Sequence, residues 1–353
     1  MVSLRRLSAA LPLIAALALV GCAGDGGGIQ SQKISTIKGR GKLLCGVDGK
    51  LPGFSFVGSD GRYSGLDVDV CKATAAALLG DPEKVEYRDL NSSERFAALA
   101  SGEVDLLSRN TTYTLSRDAA GGNGLSFAPT TFYDGQGVMV PSASGVKSLK
   151  DLAGKPICVE SGTTTELNLA DRMREINAPY TPLKFQTGDQ TYAAYLQGRC
   201  VAVTSDRSQL AAKRTSFPDP AAHTLLPEVL SKEPLSPATT NGDPVWADSV
   251  RWIIYGLMQA EELGITQANI DAKLAEAKAN ANLADLRRFL GVEGDFGKQL
   301  GLPADFVVQA VKAVGNYGEV FERNVGMGSK LKLERGSNRQ WKDGGLIYSP
   351  PFR

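Results

Sequence analysis

GEVDLLSRNTTYTLSRDA, residues 102–119, opens with an apolar run, Val104–Leu107, of the length and composition of a buried parallel strand. The run empties into hydroxyl residues, Thr111, Thr112 and Thr114, and Arg117 follows one turn later. A strand end that places hydroxyls and backbone N–H groups around a fixed guanidinium suits a carboxylate, which the guanidinium grips bidentately. The alternative is an ordinary helix start, in which Thr114 or Ser116 caps and Arg117 sits on a solvated face.

The same grammar recurs further along. RFAALASGEVDLLS (95–108) and TYAAYLQGRCVAVTS (191–205) both read helix, glycine, strand, polar exit. Upstream of the first lie a strand over 42–47, a Pro/Gly loop over 49–53 and a helix over 67–79 that closes on Gly80. Asn91-Ser92-Ser93-Glu94 has the pattern of a capping box. Around the second lie a strand over 156–160, a helix over 165–176 and another over 189–196, with the strand of the second stretch itself spanning 200–204. The pattern predicts two α/β lobes built to one plan. A β-rich crossing, FYDGQGVMVP (132–141), leads out of the first lobe, and the apolar helix over 246–263 reads as a return to it. Two crossings make a two-strand hinge, which suits cleft closure. The first lobe is expected over 40–133 and 230–353, and the second over 137–226.

Two further clusters lie at strand exits of the second lobe. Ser161-Gly162-Thr163-Thr164 joins a strand to a helix, and a helix N-terminus receives anions readily. Ser205-Asp206 follows the next strand and offers a carboxylate to an ammonium. Each is a common structural feature alone. Together, a cation, an anion-binding helix end and a carboxylate complement a zwitterion.

Composition narrows the function classes. The 353 residues carry 39 basic and 38 acidic side chains, a net charge of +1, with none of the basic bias that nucleic acid demands. The one histidine, His223, lies in a Pro-rich polar stretch and leaves a zinc site or a Ser-His-Asp triad very hard to assemble. Arg5 and Arg6, the apolar run 7–20 and the small residues Gly21 and Ala23 have the order of a secretory signal over 1–21. Leu19-Val20-Gly21-Cys22 resembles a bacterial lipoprotein cleavage box, which implies a lipidated Cys22. A flexible tether is expected over 22–39. Removing the signal leaves roughly 330 residues, enough for about two domains. Cys45, Cys71, Cys158 and Cys200 allow three pairings, and an exported chain permits disulfides. Their places in the two halves favour Cys45–Cys71 and Cys158–Cys200.

At these motifs, and at YDGQGVMVP, SGTTTELNLADR, LSKEPLSPA, AEELGITQAN and KAVGNYGEVFERNVG, the chain resembles the family 3 solute-binding proteins of ABC importers, in their general L-amino-acid-binding branch. The resemblance runs from Gly41 to the C-terminus. It implies a type II periplasmic-binding fold that closes on a free L-amino acid and hands it to an inner-membrane permease; with no chemistry on the ligand no cofactor is expected, and a monomer is the default. It implies that Arg117 clamps the α-carboxylate with Thr112 and the backbone at Asn110 beside it. Thr164 would add a bond to that carboxylate from the helix start, and Asp206 would take the α-ammonium. Asp48 and Leu51 would line the side-chain pocket, with Glu160 at its far wall and Arg109 near its entrance. The chain departs from the branch at Asp48 and Glu160, where amide-type residues are usual, and at Tyr113, where tryptophan is. Two carboxylates on the side-chain pocket favour cationic ligands, and Arg109 pulls the other way. The fold also resembles that of cyclohexadienyl and arogenate dehydratases, and a sensor that presents ligand to a receptor is a third reading.

Overall fold

The computed structural model describes residues 31–353. The expected signal peptide, Cys22 and the first part of the tether lie outside the described residues. The tether expected over 22–39 is too long at its far end, because Gln32–Arg40 is a helix with Ile34 and Ile37 buried on one face. Ser31 caps it, and the left-handed Gly41 (φ 77°) ends it. Asp243 anchors its start by accepting from Ser31 Oγ (2.7 Å) and Lys33 N (3.0 Å).

Two five-stranded sheets follow one layout. Edge to edge, the first runs Val85–Asp89, Leu43–Val47, Leu106–Leu107, Ala238–Thr240, Leu125–Phe127. The second runs Thr181–Phe185, Pro156–Glu160, Ala202–Asp206, Gln136–Pro141, His223–Leu225. In each, three parallel strands are joined by helices and two antiparallel strands complete the edge. The crossovers are Leu66–Leu79 and Arg95–Ser101 in one lobe, Thr164–Glu175 and Gly188–Leu196 in the other.

Two strands differ from expectation. The apolar run 104–107 pairs only at Leu106–Leu107, because the Asp105 carboxylate takes the Leu44 N–H (2.9 Å) that a ladder carbonyl would otherwise receive. That carboxylate also faces Lys33 and Arg40. The strand expected over 200–204 runs Ala202–Asp206 instead, with Ala202 and Val203 opposite Ile157 and Cys158. Asp206 is therefore its last residue.

Each lobe holds one disulfide, Cys45–Cys71 and Cys158–Cys200, tying a strand to a neighbouring segment. Closing loops of these separations, 26 and 42 residues, stabilises the fold by about 4 kcal/mol each in the chain-entropy picture. Between the lobes, Phe132–Asp134 pairs antiparallel with Glu233–Leu235. The chain crosses outward through Gly135 and returns through Ser231 and Lys232, so both crossings flank one ribbon.

The C-terminal segment belongs to the first lobe. Phe306–Val314 packs its apolar face on Leu66–Leu79 and Pro244–Glu262, and Phe321 stacks on Phe132 at 5.9 Å. It also reaches the hinge. Asn338 accepts from Tyr133 N (2.6 Å) and donates to Tyr133 O (3.1 Å), standing in for a third strand, and Tyr317 Oη donates to Thr131 O (2.9 Å).

Candidate functional site

The loop 108–112 owes its shape to a residue far away in sequence. Asp67, on the first turn of the helix Leu66–Leu79, accepts from Ser108 Oγ (3.1 Å) and from Asn110 N (3.0 Å). This fixes Asn110 in the left-handed region (φ 37°), which asparagine tolerates. Burial pushes the Asp67 carboxyl up to about 7. The loop then feeds a short helix, Leu115–Asp118, capped by Thr114. The capping alternative is thus realised, but Arg117 is not a solvated face. Its side chain is buried and its Nη1 donates to Thr112 O (2.8 Å).

A second buried arginine stands beside it. Arg95 opens the helix Arg95–Ser101, and its Nη1 donates to Thr111 Oγ1 (3.4 Å) while its Nε has no partner. Both guanidinium groups lie against the Phe96 ring, at 4.8 and 5.2 Å from its centroid. Burial lowers both pKa values, that of Arg117 to about 10, and like charge lowers them further. The first lobe therefore presents a cationic site short of anions.

The second lobe answers with opposite chemistry. Thr163 caps the helix Thr164–Glu175 through Glu166 N (3.1 Å), and the N–H groups of Thr164 and Thr165 have no intrahelical acceptor. Asp206 is buried at its strand end and makes no capping bond. Desolvation, then Asp134 and Glu233, push its carboxyl well up, and Arg95 and Arg117 pull it back. Asp134 rises to about 6, mainly by burial.

An inter-lobe space is lined by Arg109, Asn110, Thr112, Glu160, Thr164 and Asp206 of the expected residues, and by Arg95. Arg117 stands just behind its wall. A wider outer chamber of about 220 Å³ shares Arg109 and Glu160 with it and contains Asp48. Here Arg109 is held by Leu90 O (2.7 Å at Nε) and Asp48 Oδ2 (2.7 Å at Nη2), with Glu160 Oε1 at 3.8 Å. That Glu160 oxygen is buried without a hydrogen-bond partner. At the mouth, Lys50 of the first lobe meets Asp189 of the second at 3.2 Å, and Asp189 also pairs with Lys213 at 3.0 Å. On the other rim, a Cβ at Gly162 would lie 3.1 Å from Ser93 Oγ, so the lobes touch there too.

Leu51, expected to line the side-chain pocket, turns inward instead. It is 1% exposed and packs in the first lobe's core, because alternation in the two-residue strand Lys50–Leu51 sends Lys50 outward. His223 is half-buried, with Nδ1 2.8 Å from Tyr195 Oη. Among the described residues no group of three or more His, Cys, Asp or Glu could hold a metal ion.

Three residues escaped the sequence reading: Asp67, Arg95 and Glu233. Arg95 left a signal, a charge at the head of an otherwise apolar helix. Glu233 left none. It is 1% exposed on the return strand of the hinge and accepts from Thr112 Oγ1 (2.6 Å) and Thr164 Oγ1 (2.8 Å), one from each lobe.

Comparison with known proteins places this geometry. Residues 43–288 match the model of the bacterial extracellular solute-binding proteins, family 3. The chain is 50% identical over 322 residues to the general L-amino acid-binding periplasmic protein AapJ of Rhizobium johnstonii, covering 91% of this chain and 92% of that one. It is 48% identical to the glutamate/glutamine/aspartate/asparagine-binding protein BztA of Rhodobacter capsulatus, covering 93% and 95%. A solved ABC transporter periplasmic binding protein from Brucella ovis with glutathione bound superposes with a TM-score of 0.86 at 48% identity, over 92% of this chain and 100% of that one.

Proposed function

The chain belongs to the bacterial extracellular solute-binding proteins, family 3, and on that premise we propose that it closes on a free L-amino acid and delivers it to an inner-membrane ABC permease. The family is one of transport components, and none of these matches supports the dehydratase or sensor readings. No helix among the described residues is long and apolar enough to cross a membrane. In our reading residues 1–21 direct export, Cys22 carries a lipid anchor, and the protein acts as a monomer.

One observation carries the reading: the space between the lobes has Arg95 on one wall, with Arg117 behind it bonded to Thr112 O, and Asp206 with a helix start on the other. Arg117 and Arg95, with the free N–H groups of the helix start, take the α-carboxylate, and Asp206 takes the α-ammonium. Each lobe alone holds buried charge without full compensation, so a zwitterion stabilises the closed state over the open one.

The side chain then points to the outer chamber. Arg109 is already neutralised by Asp48, which leaves the unpartnered Glu160 oxygen as the group to be satisfied. An N–H-bearing side chain, amide or cationic, does this, and a ligand carboxylate does not. A thermal-shift screen of the twenty L-amino acids and glutathione tests both levels. Shifts largest for arginine, lysine or glutamine are expected. No shift with any compound contradicts the amino-acid reading, and glutamate giving the largest shift contradicts the side-chain preference.

A further inference from the structure

Glu233 lines neither chamber, yet both lobes converge on it. Its Oε2 accepts from Thr112 Oγ1 (2.6 Å) and Thr164 Oγ1 (2.8 Å). Its Oε1 accepts from Asn168 Nδ2 (2.8 Å) and Ser231 Oγ (2.5 Å). Four donors thus converge on its two oxygens.

A threonine hydroxyl has one proton and two lone pairs. With its proton committed to Glu233, Thr112 has only lone pairs left to offer the cavity that it lines. Thr112 and Thr164 lie 3.3 Å apart, oxygen to oxygen, and with both protons directed at Glu233 neither is spent on the other. A hydroxyl so oriented repels a carboxylate oxygen and welcomes an N–H.

We propose that Glu233 is a positioning residue for amino-acid recognition, which takes the Thr112 hydroxyl proton and so makes that hydroxyl an acceptor for the ligand's α-ammonium. The proposal rests on the amino-acid reading above, and it assigns the Thr112 side chain to the ammonium rather than to the α-carboxylate. The site then sorts cleanly by polarity. Asp206 and the Thr112 hydroxyl accept from the ammonium, and guanidinium and backbone N–H groups donate to the carboxylate. The four donors come from the first lobe, the second lobe and the returning hinge connection. The carboxylate is therefore fully satisfied only when the lobes are together, and opening strips donors from a buried charge.

The test is a double-mutant cycle read by calorimetric titration with L-glutamine and L-arginine as probes. The variants are Glu233→Met, which removes the acceptors and keeps the volume, and Glu233→Gln, which keeps the shape and ensures a folded comparison. Each is made with and without Thr112→Val, and the melting temperature without ligand confirms folding. Thr112→Val is expected to weaken binding about tenfold in the parent protein and less than twofold in the Glu233→Met background, with Glu233→Gln in between because its amide oxygen still accepts. Each Glu233 variant alone is expected to weaken binding about tenfold or more. A merely structural Glu233 would leave the Thr112→Val penalty the same in all backgrounds. That result, or unchanged affinity in both Glu233 variants, overturns the proposal while leaving the amino-acid reading intact. Failure of the parent protein to bind any amino acid overturns both.

Discussion

The two lobes share a sheet order, a crossover pattern and a disulfide, yet they divide the chemistry between them unequally. The first lobe supplies the buried guanidinium groups, Arg95, Arg109 and Arg117, and the second supplies Asp206, Glu160 and a helix start. The first is also enlarged by the C-terminal helices and tail, whereas the second keeps to its sheet and crossovers. A shared scaffold with opposite charge on its two inner faces means that neither lobe is a binding site alone. Recognition and closure become one event, because the molecule that satisfies both faces is the one that holds them together.

The sharpest way to break this division is at its cationic pole. Arg117→Ala is expected to weaken binding of every amino acid at least about a thousandfold, because all share the α-carboxylate and truncation leaves buried partners unpaired. Ligand-induced thermal shifts that survive unchanged would move the role to Arg95. At the opposite pole, Asp206→Asn is expected to weaken binding about thirtyfold to a hundredfold. It should also raise the melting temperature of the ligand-free protein, since Asp206 is buried beside Asp134 and Glu233, which push its carboxyl up.

The same pole gives a pH dependence of definite sign. The Asp134 carboxyl rises from its ordinary value near 4 to about 6 in the fold, so the folded state holds more protons over that window. The contribution of Asp134 to stability without ligand is then fully present below about pH 4 and is lost as pH rises through 6. A bound ammonium favours the ionised carboxylates, so binding releases a proton and tightens between pH 5 and 7. Calorimetric titration in buffers of different ionisation enthalpy reads this directly. Proton uptake on binding would contradict it.

The smallest effect is expected at the mouth. Lys50 and Asp189 are each about half exposed, and such pairs contribute little in water. Lys50→Ala should change affinity less than about threefold and lose even that in high salt. A tenfold loss would shift the weight of closure from the buried poles to the rim.

Much of the first lobe's and the second lobe's framework was legible in the sequence, because strand runs, glycine stops and caps are local signals. Pro156–Glu160 and the helix ending at Gly80 fall where their residues predict. What escaped was set by contacts between distant segments. Asp67 shapes the loop 43 residues away, and Glu233 joins residues 121 and 69 positions off. No periodicity encodes such meetings. Leu51 was misplaced because a two-residue strand gives alternation nothing to fix its phase. The helix Gln32–Arg40 did leave a trace, Ser31 and Gly41 bracketing Ile34 and Ile37, but its polar composition read as tether.

The division of charge is tested most directly by calorimetric titration of the parent protein with L-glutamine and with two analogues, one lacking the α-amino group and one lacking the α-carboxyl. The account predicts binding of L-glutamine and at least a hundredfold weaker binding of each analogue. Either analogue binding within a few-fold of L-glutamine would contradict it, since one lobe would then bind without the other.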